Sequence, residues 1–548
     1  MSNMLKLLQR GREDELWRLC CGFLDLKLPQ FMTIQKRLLM EQIHLLAKCP
    51  LGARLFSGVI PRTVEEFRQR VPFTTYKDYC PDLLERRVDV LPVKPVMWQH
   101  TSGRTGEYRY KWVPLTARYC REVAELLLGM AILSGSREWG DVTKLREDLK
   151  MIYAVAPRPY TSGTLIHILQ QEFPIACLPS LKEAEAMSFE ERLDKGFGQA
   201  LSVGLDGFGG LALALVAIGE RFRTEGNKTS LNSLLLRPKA LWRVGNALLK
   251  SSIARRNLLP RDLWAVKGIT SSGTDSSLLK NRIKEIWGRY PLDAYICTEG
   301  CIIATQTWDY KGMTFIPNLN FLEFIPERES SNSHSDSHYI PSALLLDEVK
   351  PGEVYEMVIT NFHGGALVRY RLGDMVRITA TRNNELHIDI PQMNFERRSD
   401  DLIDLGGFVR LTERTIWQAI ENTGVPYEDW VARKEVSEKP LLHLYIQLKN
   451  GASGLESDLA ATIYSEMKKL DERINASSIY DSLQSMVGGI PVKVHLLKTG
   501  AFENYIQNQR ARGADLAHLK PPHVNPSREI VSILEGGNET GDTNKSQT

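Results

Sequence analysis

No CxxC pair occurs anywhere in the 548 residues, although the chain has eight cysteines. Cys297 and Cys301 lie four apart with no histidine beside them, so the spacing of a tetrahedral zinc site is missing. A disulfide framework is out of place in so long a chain, and reduced thiols in the cytoplasm are the simplest reading. Long apolar runs are also lacking. Gly210 to Ile218 is the greasiest stretch, too short to span a bilayer and followed by Glu220, Arg221 and Arg223. It reads as a buried helix, and no membrane insertion is expected. The first ten residues hold no continuous apolar segment of the secretory kind. An excess of one charge is the third absence. With 69 Lys and Arg against 66 Asp and Glu, the net charge of +3 argues for no nucleic-acid partner.

What is present is apolar material for more than one core, 43% of the residues, in a chain long enough for two or more domains. Residues 14 to 90 read mainly as helices, with Ile34, Leu38 and Leu45 on one segment. Two short strands are predicted at Val96–Trp98 and Tyr108–Val113. Further strands at Met151–Ala156, Ala294–Cys297, Phe321–Ile325, Tyr355–Thr360 and Met375–Thr379 alternate with helical stretches. That mixture predicts an α/β body of mixed sheets and helices. Ser330 to His338 has no apolar residue and is expected to be an exposed loop.

After residue 400 the pattern changes. Leu442, Leu444, Ile446 and Leu448 alternate with polar residues as in a half-buried strand, and Leu455, Leu459, Ile463 and Met467 make one helical stripe. Val492, Val494 and Leu496 form another strand. The expected organisation is an N-terminal domain over 1–398, a small C-terminal α+β domain over 399–535 joined by a hinge, and a disordered tail over 536–548.

Four stretches carry candidate chemistry. Thr101-Ser102-Gly103-Arg104-Thr105-Gly106 lets backbone N–H groups and hydroxyls converge on an anion; it is not a Walker loop, because no Lys-Ser/Thr follows and the next segment reads as a strand. Tyr295-Ile296-Cys297-Thr298-Glu299-Gly300 ends a strand with a carboxylate suited to Mg²⁺ and an aromatic suited to a base, and upstream Thr270-Ser271-Ser272-Gly273-Thr274 offers a turn for an adenine edge. Arg369-Tyr370-Arg371-Leu372-Gly373-Asp374 places an acceptor-only carboxylate where it can take both ribose hydroxyls, with arginines that serve phosphate or pair with acids. Arg397 to Phe408 is charged, then glycine-bearing, and falls at the expected domain junction.

In order and spacing these stretches resemble the adenylate-forming superfamily of acyl-CoA synthetases, peptide-synthetase adenylation domains and luciferases. Within it the chain is most similar to the auxin-responsive Gretchen Hagen family of acyl acid–amido synthetases, over roughly residues 14 to 525. The segments that carry this are Arg62–Phe67, Pro72–Tyr76, Cys297–Gly300, Phe321–Pro326, Tyr355–Thr360, Arg369–Asp374, Gly500–Glu503 and Arg512 through Lys520.

The resemblance implies a ligase that uses ATP and Mg²⁺ to activate a carboxylic acid as an acyl-adenylate and passes the acyl group to an amine, such as an amino acid. It implies that Thr101, Ser102, Gly103, Thr105 and Gly106 hold phosphates, with Ser272, Gly273 and Thr274 beside the base. Tyr295 would stack on adenine, Thr298 touch phosphate, Glu299 bind Mg²⁺, Asp374 bind ribose and Arg398 contact the nucleotide. Asp400 would be the hinge, and Lys520 would enter during adenylation. Arg158 and His363 are candidates for the acyl or acceptor pocket. Arg104 departs from the usual Ser or Thr of such loops, and Cys297 from the usual Ser. Two other outcomes stay open: thioester formation with coenzyme A, and a nucleotide-binding homologue without catalysis. The expected assembly is a monomer or homodimer.

Overall fold

The computed structural model describes residues 3–101, 110–212, 215–216, 218–220, 238–272, 276–335, 338–399, 402–405, 409–435, 441–449, 455–471, 480–481, 483–484, 487–511 and 520–536. The chain divides into two compact units, one of Met1–Gly103 and Glu107–Glu396, the other including Arg397–Thr548. Ser102, Gly103, Thr105, Gly106, Gly273, Thr274, Asp400 and the tail after Gly536 lie outside the described residues.

The first unit is built on strands β1 (Met97–His100), β2 (Trp112–Leu115), β3 (Lys150–Ile152), β4 (Ala176–Leu178), β5 (Gly207–Leu211), β6 (Gly268–Ser272) and β7 (Leu292–Cys297). These are followed by β8 (Cys301–Thr305), β9 (Met313–Phe315), β10 (Asn320–Pro326), β11 (Val354–Asn361), β12 (Tyr370–Ala380) and β13 (Gln392–Arg398). Strands β3 to β13 make one sheet of 11 strands in the order β10-β11-β12-β13-β9-β8-β7-β6-β5-β3-β4. From β4 to β7 every pairing is parallel; β7 then pairs antiparallel with β8, so it is where the sheet changes character. β1 and β2 form a separate antiparallel pair.

Alternation along the parallel strands divides the apolar residues between two cores. Ile152 and Ala154 join Phe208, Ile269 and Trp287 in one, while Met151 and Tyr153 face the other, larger one. In the larger core the helix Leu28–Leu46 buries Phe31, Leu38, Leu39, Ile43 and Leu46, and on the same face Gln35 and Gln42. Two buried amides on an apolar stripe need partners. Gln35 holds the carbonyls of Pro317 (2.5 Å) and Asn320 (2.7 Å) and the amide of Leu322 (2.9 Å), and Gln42 holds the Gly365 carbonyl and the Gly364 amide. Ile34 and Leu45 lie at the margin of this face, only half-buried.

The second unit has a hairpin of β14 (Leu402–Leu405) and β15 (Val409–Thr412), and a sheet of β16 (Tyr427–Glu435), β17 (Leu441–Leu448) and β18 (Val492–Leu497). β17 is central, antiparallel to β16 and parallel to β18, and the helix Glu456–Leu470 makes the crossover. No described helix of either unit is long and apolar enough to cross a membrane.

Several expectations are corrected. Ser330 to Ser335 lies in a helix, Glu327–Ser335, and Ser330 is buried because its hydroxyl donates to the Glu356 carboxylate at 2.6 Å. Gly210 and Leu211 end β5 rather than start a helix, which begins at Ala212; the glycines fit between the flanking parallel strands and favour no helix. The strand at 150 stops at Ile152, and β2 runs through Trp112–Leu115, later than expected. Strand β17 is buried on both faces, because Tyr445 packs with Val431, Phe502 and Tyr505 on the side opposite Leu444 and Ile446. Leu455 is 69% exposed and caps its helix instead of joining the stripe.

Candidate active site

The end of β7 turns through Thr298, Glu299 and Gly300 into β8, and side chains from elsewhere hold all three carbonyls of that turn. Gln99 of β1 donates to the Thr298 carbonyl at 2.7 Å, Asn361 of β11 to Glu299 at 2.9 Å, and Asn320 and Tyr119 to Gly300 at 2.8 and 2.9 Å. Asn361 also donates to the Asn320 side chain at 2.9 Å, so the three amide side chains and the phenol form one brace. A Cβ at Gly300 would meet the Ile303 and Ile359 methyls at 3.0 Å, so a larger residue there requires those side chains to shift. These bonds fix the main chain that carries the Thr298 and Glu299 side chains.

Thr298 shares a 2.7 Å hydrogen bond with the hydroxyl of Thr161, the first residue of the helix Thr161–Glu172. The Glu299 side chain makes no hydrogen bond or ion pair among the described residues, although it is half-buried. Its charge is felt nearby. Burial first, then Glu299 and Asp374, push the Cys297 thiol well above its ordinary range, and burial, then Glu299, do the same to the Tyr370 phenol. Both neighbours therefore stay protonated at neutral pH.

Asp374, on β12, takes the phenol of Tyr295 at 2.5 Å, and the Tyr295 ring lies 6.0 Å from that of Phe395. Gly373 before it has φ +71, which only glycine adopts freely. Tyr295, Thr298, Glu299 and Asp374 are thus brought together. Thr101 joins them by its strand: it follows Gln99 by two residues, and its backbone closes on Lys111 at 3.1 Å. Ser272 ends β6, next to β7 and on the same edge. Ligands of parallel α/β sheets collect at such carboxyl ends.

The other expected residues are placed differently. Arg369 grips Glu323 in a buried fork (2.8 and 3.0 Å) and Arg371 grips Glu356 (2.6 and 2.9 Å), so both arginines pair with acids. The Arg158 guanidinium is engaged by Glu185 at 2.9 Å and His167 at 3.2 Å. His363 is buried with Nε2 2.7 Å from the Asn318 carbonyl; burial lowers its pKa, so the ring is neutral. Arg398 ends β13. Lys520 belongs to the second unit, where its ammonium lies 3.0 Å from Asp429. Sequence reasoning missed Gln99, Tyr119, Asn320, Asn361 and Thr161. None of them sits in a glycine-rich or charged motif, and only the sheet order brings them to the turn.

Residues 22–172 match the GH3 family N-terminal domain, and residues 313–398 match the GH3 family central domain. Two separate stretches of the chain, together less than half of its length, thus match GH3 family domains. Among GH3 relatives, the indole-3-acetic acid-amido synthetase GH3.8 of Oryza sativa subsp. indica is 26% identical over 234 residues, covering 40% of this chain and 36% of that protein. The 4-substituted benzoates-glutamate ligase GH3.12 of Arabidopsis thaliana is 25% identical over 239 residues, again covering 40% of this chain and 38% of that protein. The chain thus spans well under half the length of these curated relatives. The solved structure of the AtGH3.15 acyl acid amido synthetase in complex with 2,4-DB superposes with a TM-score of 0.67 at 18% identity, covering 94% of this chain and 95% of that one. A 2-hydroxyisobutyryl-CoA ligase in its postadenylation state gives 0.55 at 17% identity, over 85% of both chains. The chain therefore shares the α/β fold of these two solved structures. Gln99, Tyr119 and Thr161 fall in the matched N-terminal domain and Asn320, Asn361 and Asp374 in the central one, while Tyr295 to Gly300 lies between the two.

Proposed function

We propose that this chain is an ATP-dependent ligase that activates a small carboxylic acid as an acyl-adenylate and transfers the acyl group to an amine such as an amino acid, releasing AMP. The observation that carries this reading is the braced turn Thr298–Gly300 with Asp374 beside it: a free carboxylate, a hydroxyl pair and a second buried carboxylate share one strand edge. The matched GH3 domains and the relatives named as amido synthetases support the choice of an amide product.

A carboxylate resists nucleophiles because its charge repels them and oxide leaves poorly. Attack of the acid on the α-phosphate forms a mixed anhydride and expels pyrophosphate; an amine then attacks the carbonyl, forms the amide and expels AMP. In this reading Asp374 holds the ribose, and Tyr295 offers its ring to adenine. Thr298 and Thr161 donate to phosphate oxygens, with Thr101, Ser102, Gly103, Thr105 and Gly106 completing the cradle and Ser272, Gly273 and Thr274 beside the base. Arg398 contacts the nucleotide. A half-buried carboxylate with no cation paired to it among the described residues fits a divalent metal, so Glu299 would hold Mg²⁺, which would supply charge neutralisation on phosphate. Lys520, from the second unit, supplies a further positive charge during adenylation, and rotation about Asp400 exchanges it for the acceptor. Eight free thiols support a cytoplasmic protein, acting as a monomer or homodimer.

The test is pyrophosphate release across a panel of carboxylic acids, repeated with each amino acid and with coenzyme A. Amide with AMP supports the reading. Thioester formation without amide, or nucleotide binding without any pyrophosphate release, sinks it.

A further inference from the structure

A concavity lies at the opposite edge of the parallel strands from the braced turn, where β6 and β7 begin. It measures about 590 Å³, within the range of small-molecule sites, and six cationic side chains line it: Arg137, Lys144, Arg146, Arg261, Lys267 and Arg289. Asp262 is its one carboxylate, and both Asp262 oxygens already take Arg256 at 2.7 Å. Lys267 pairs with Asp206 at 2.7 Å, Arg289 donates to the Ser134 carbonyl at 3.2 Å, and Lys144 faces Asp141. Arg137, Arg146 and Arg261 make no salt bridge among the described residues. Trp264 and Trp287 back the wall as buried apolar surface.

Like charges gathered in one hollow repel each other unless an anion occupies it. Four of the six are guanidinium groups, whose planar forks match phosphate oxygens two at a time. The cations come from three separate stretches, before the strands and after the helix Ala117–Gly135, so they surround the hollow and do not merely line one helix face. Lys267 and Gly288 immediately precede β6 and the short turn into β7, whereas Ser272 and Thr298 follow the same parallel strands. The two sites are therefore a strand length apart.

We infer that this cavity binds a compact anion bearing two or more phosphate groups, at a site separate from the one that would take ATP. Phosphates of a soluble polyphosphate and of a phosphorylated lipid headgroup share this chemistry. Calorimetry on the full chain with inorganic tripolyphosphate tests it. Binding is expected to weaken about tenfold in the triple variant Lys144→Ala/Arg146→Ala/Arg261→Ala and to survive in Asp374→Ala. Arg146 is exposed, so Arg146→Ala alone keeps the fold and should show a smaller loss in the same direction. Vesicles with and without phosphatidylinositol bisphosphate separate the sources: capture by the charged vesicles, lost in the triple variant, with no tripolyphosphate binding, assigns the phosphates to a headgroup. Isotherms unchanged by the triple variant, or no binding of either probe, overturn the inference. Neither result depends on whether the ligase reading holds.

Discussion

Lys520 is held by Asp429: the ammonium lies 3.0 Å from one carboxylate oxygen, and the other oxygen takes His523 at 2.9 Å. His523 also reaches Glu413 at 2.6 Å and stacks on Trp430 with ring centres 4.6 Å apart. A lysine half-exposed on this cluster has a defined resting partner within its own unit.

If Lys520 serves adenylation, Lys520→Ala lowers ATP–pyrophosphate exchange by on the order of 100-fold while transfer from a preformed adenylate stays near wild type. Single-turnover measurement of the two half-reactions separates them. Equal loss in both steps would remove Lys520 from that role.

The cluster also predicts a pH dependence of stability. Burial alone would lower the His523 pKa, but its bonds to Asp429 and Glu413 outweigh this and raise it from 6.5 to about 9. Burial would likewise raise Asp429, yet His523 and Lys520 bring it down from 3.8 to about 2. The His523 contribution is complete below pH 6.5 and fades as pH rises through about 9; that of Asp429 is present above 3.8 and fades as pH falls through about 2. Thermal unfolding of the full chain should therefore lose on the order of 5 °C between pH 6.5 and about 9. His523→Gln should flatten that decline; an unchanged slope means that other groups govern it.

Glu299→Ala and Asp374→Ala are expected to abolish pyrophosphate exchange without unfolding the protein. Tyr295→Phe is milder: losing one hydrogen bond to a buried carboxylate should weaken nucleotide binding about tenfold. Fluorescent-nucleotide titration with circular dichroism on each variant checks this, and retained exchange in either carboxylate variant excludes it from the site.

Gln35→Ala is a test of the fold alone. It leaves the Pro317 and Asn320 carbonyls and the Leu322 amide buried without their partner, at a cost of about 3 kcal/mol. Urea unfolding should show a lower midpoint with an unchanged slope. A loss below about 1 kcal/mol would mean that water replaces the amide.

Part of the candidate site was legible along the chain as motifs. Tyr295, Thr298, Glu299 and Asp374 stand in short motifs whose residue types suit a nucleotide, and the structure gathers them at one strand edge. The arginines of the Asp374 segment were ambiguous because a guanidinium serves phosphate or carboxylate equally well, and only the strands opposite, bearing Glu323 and Glu356, decide between them. Ser330 shows the same limit: a polar run reads as a loop until a buried carboxylate on a neighbouring strand accepts its hydroxyl.

Local pattern determined the alternating strands, the helical stripes, the glycine turns and the chemical character of the motifs, because each depends on residues within a few positions. The tertiary structure alone decided that Gln99, Asn361, Asn320 and Tyr119 brace the turn after β7, and that six cations share one hollow at the far edge. Those relations join residues up to about 200 positions apart, and their energy depends on burial and distance, which no short stretch of sequence encodes.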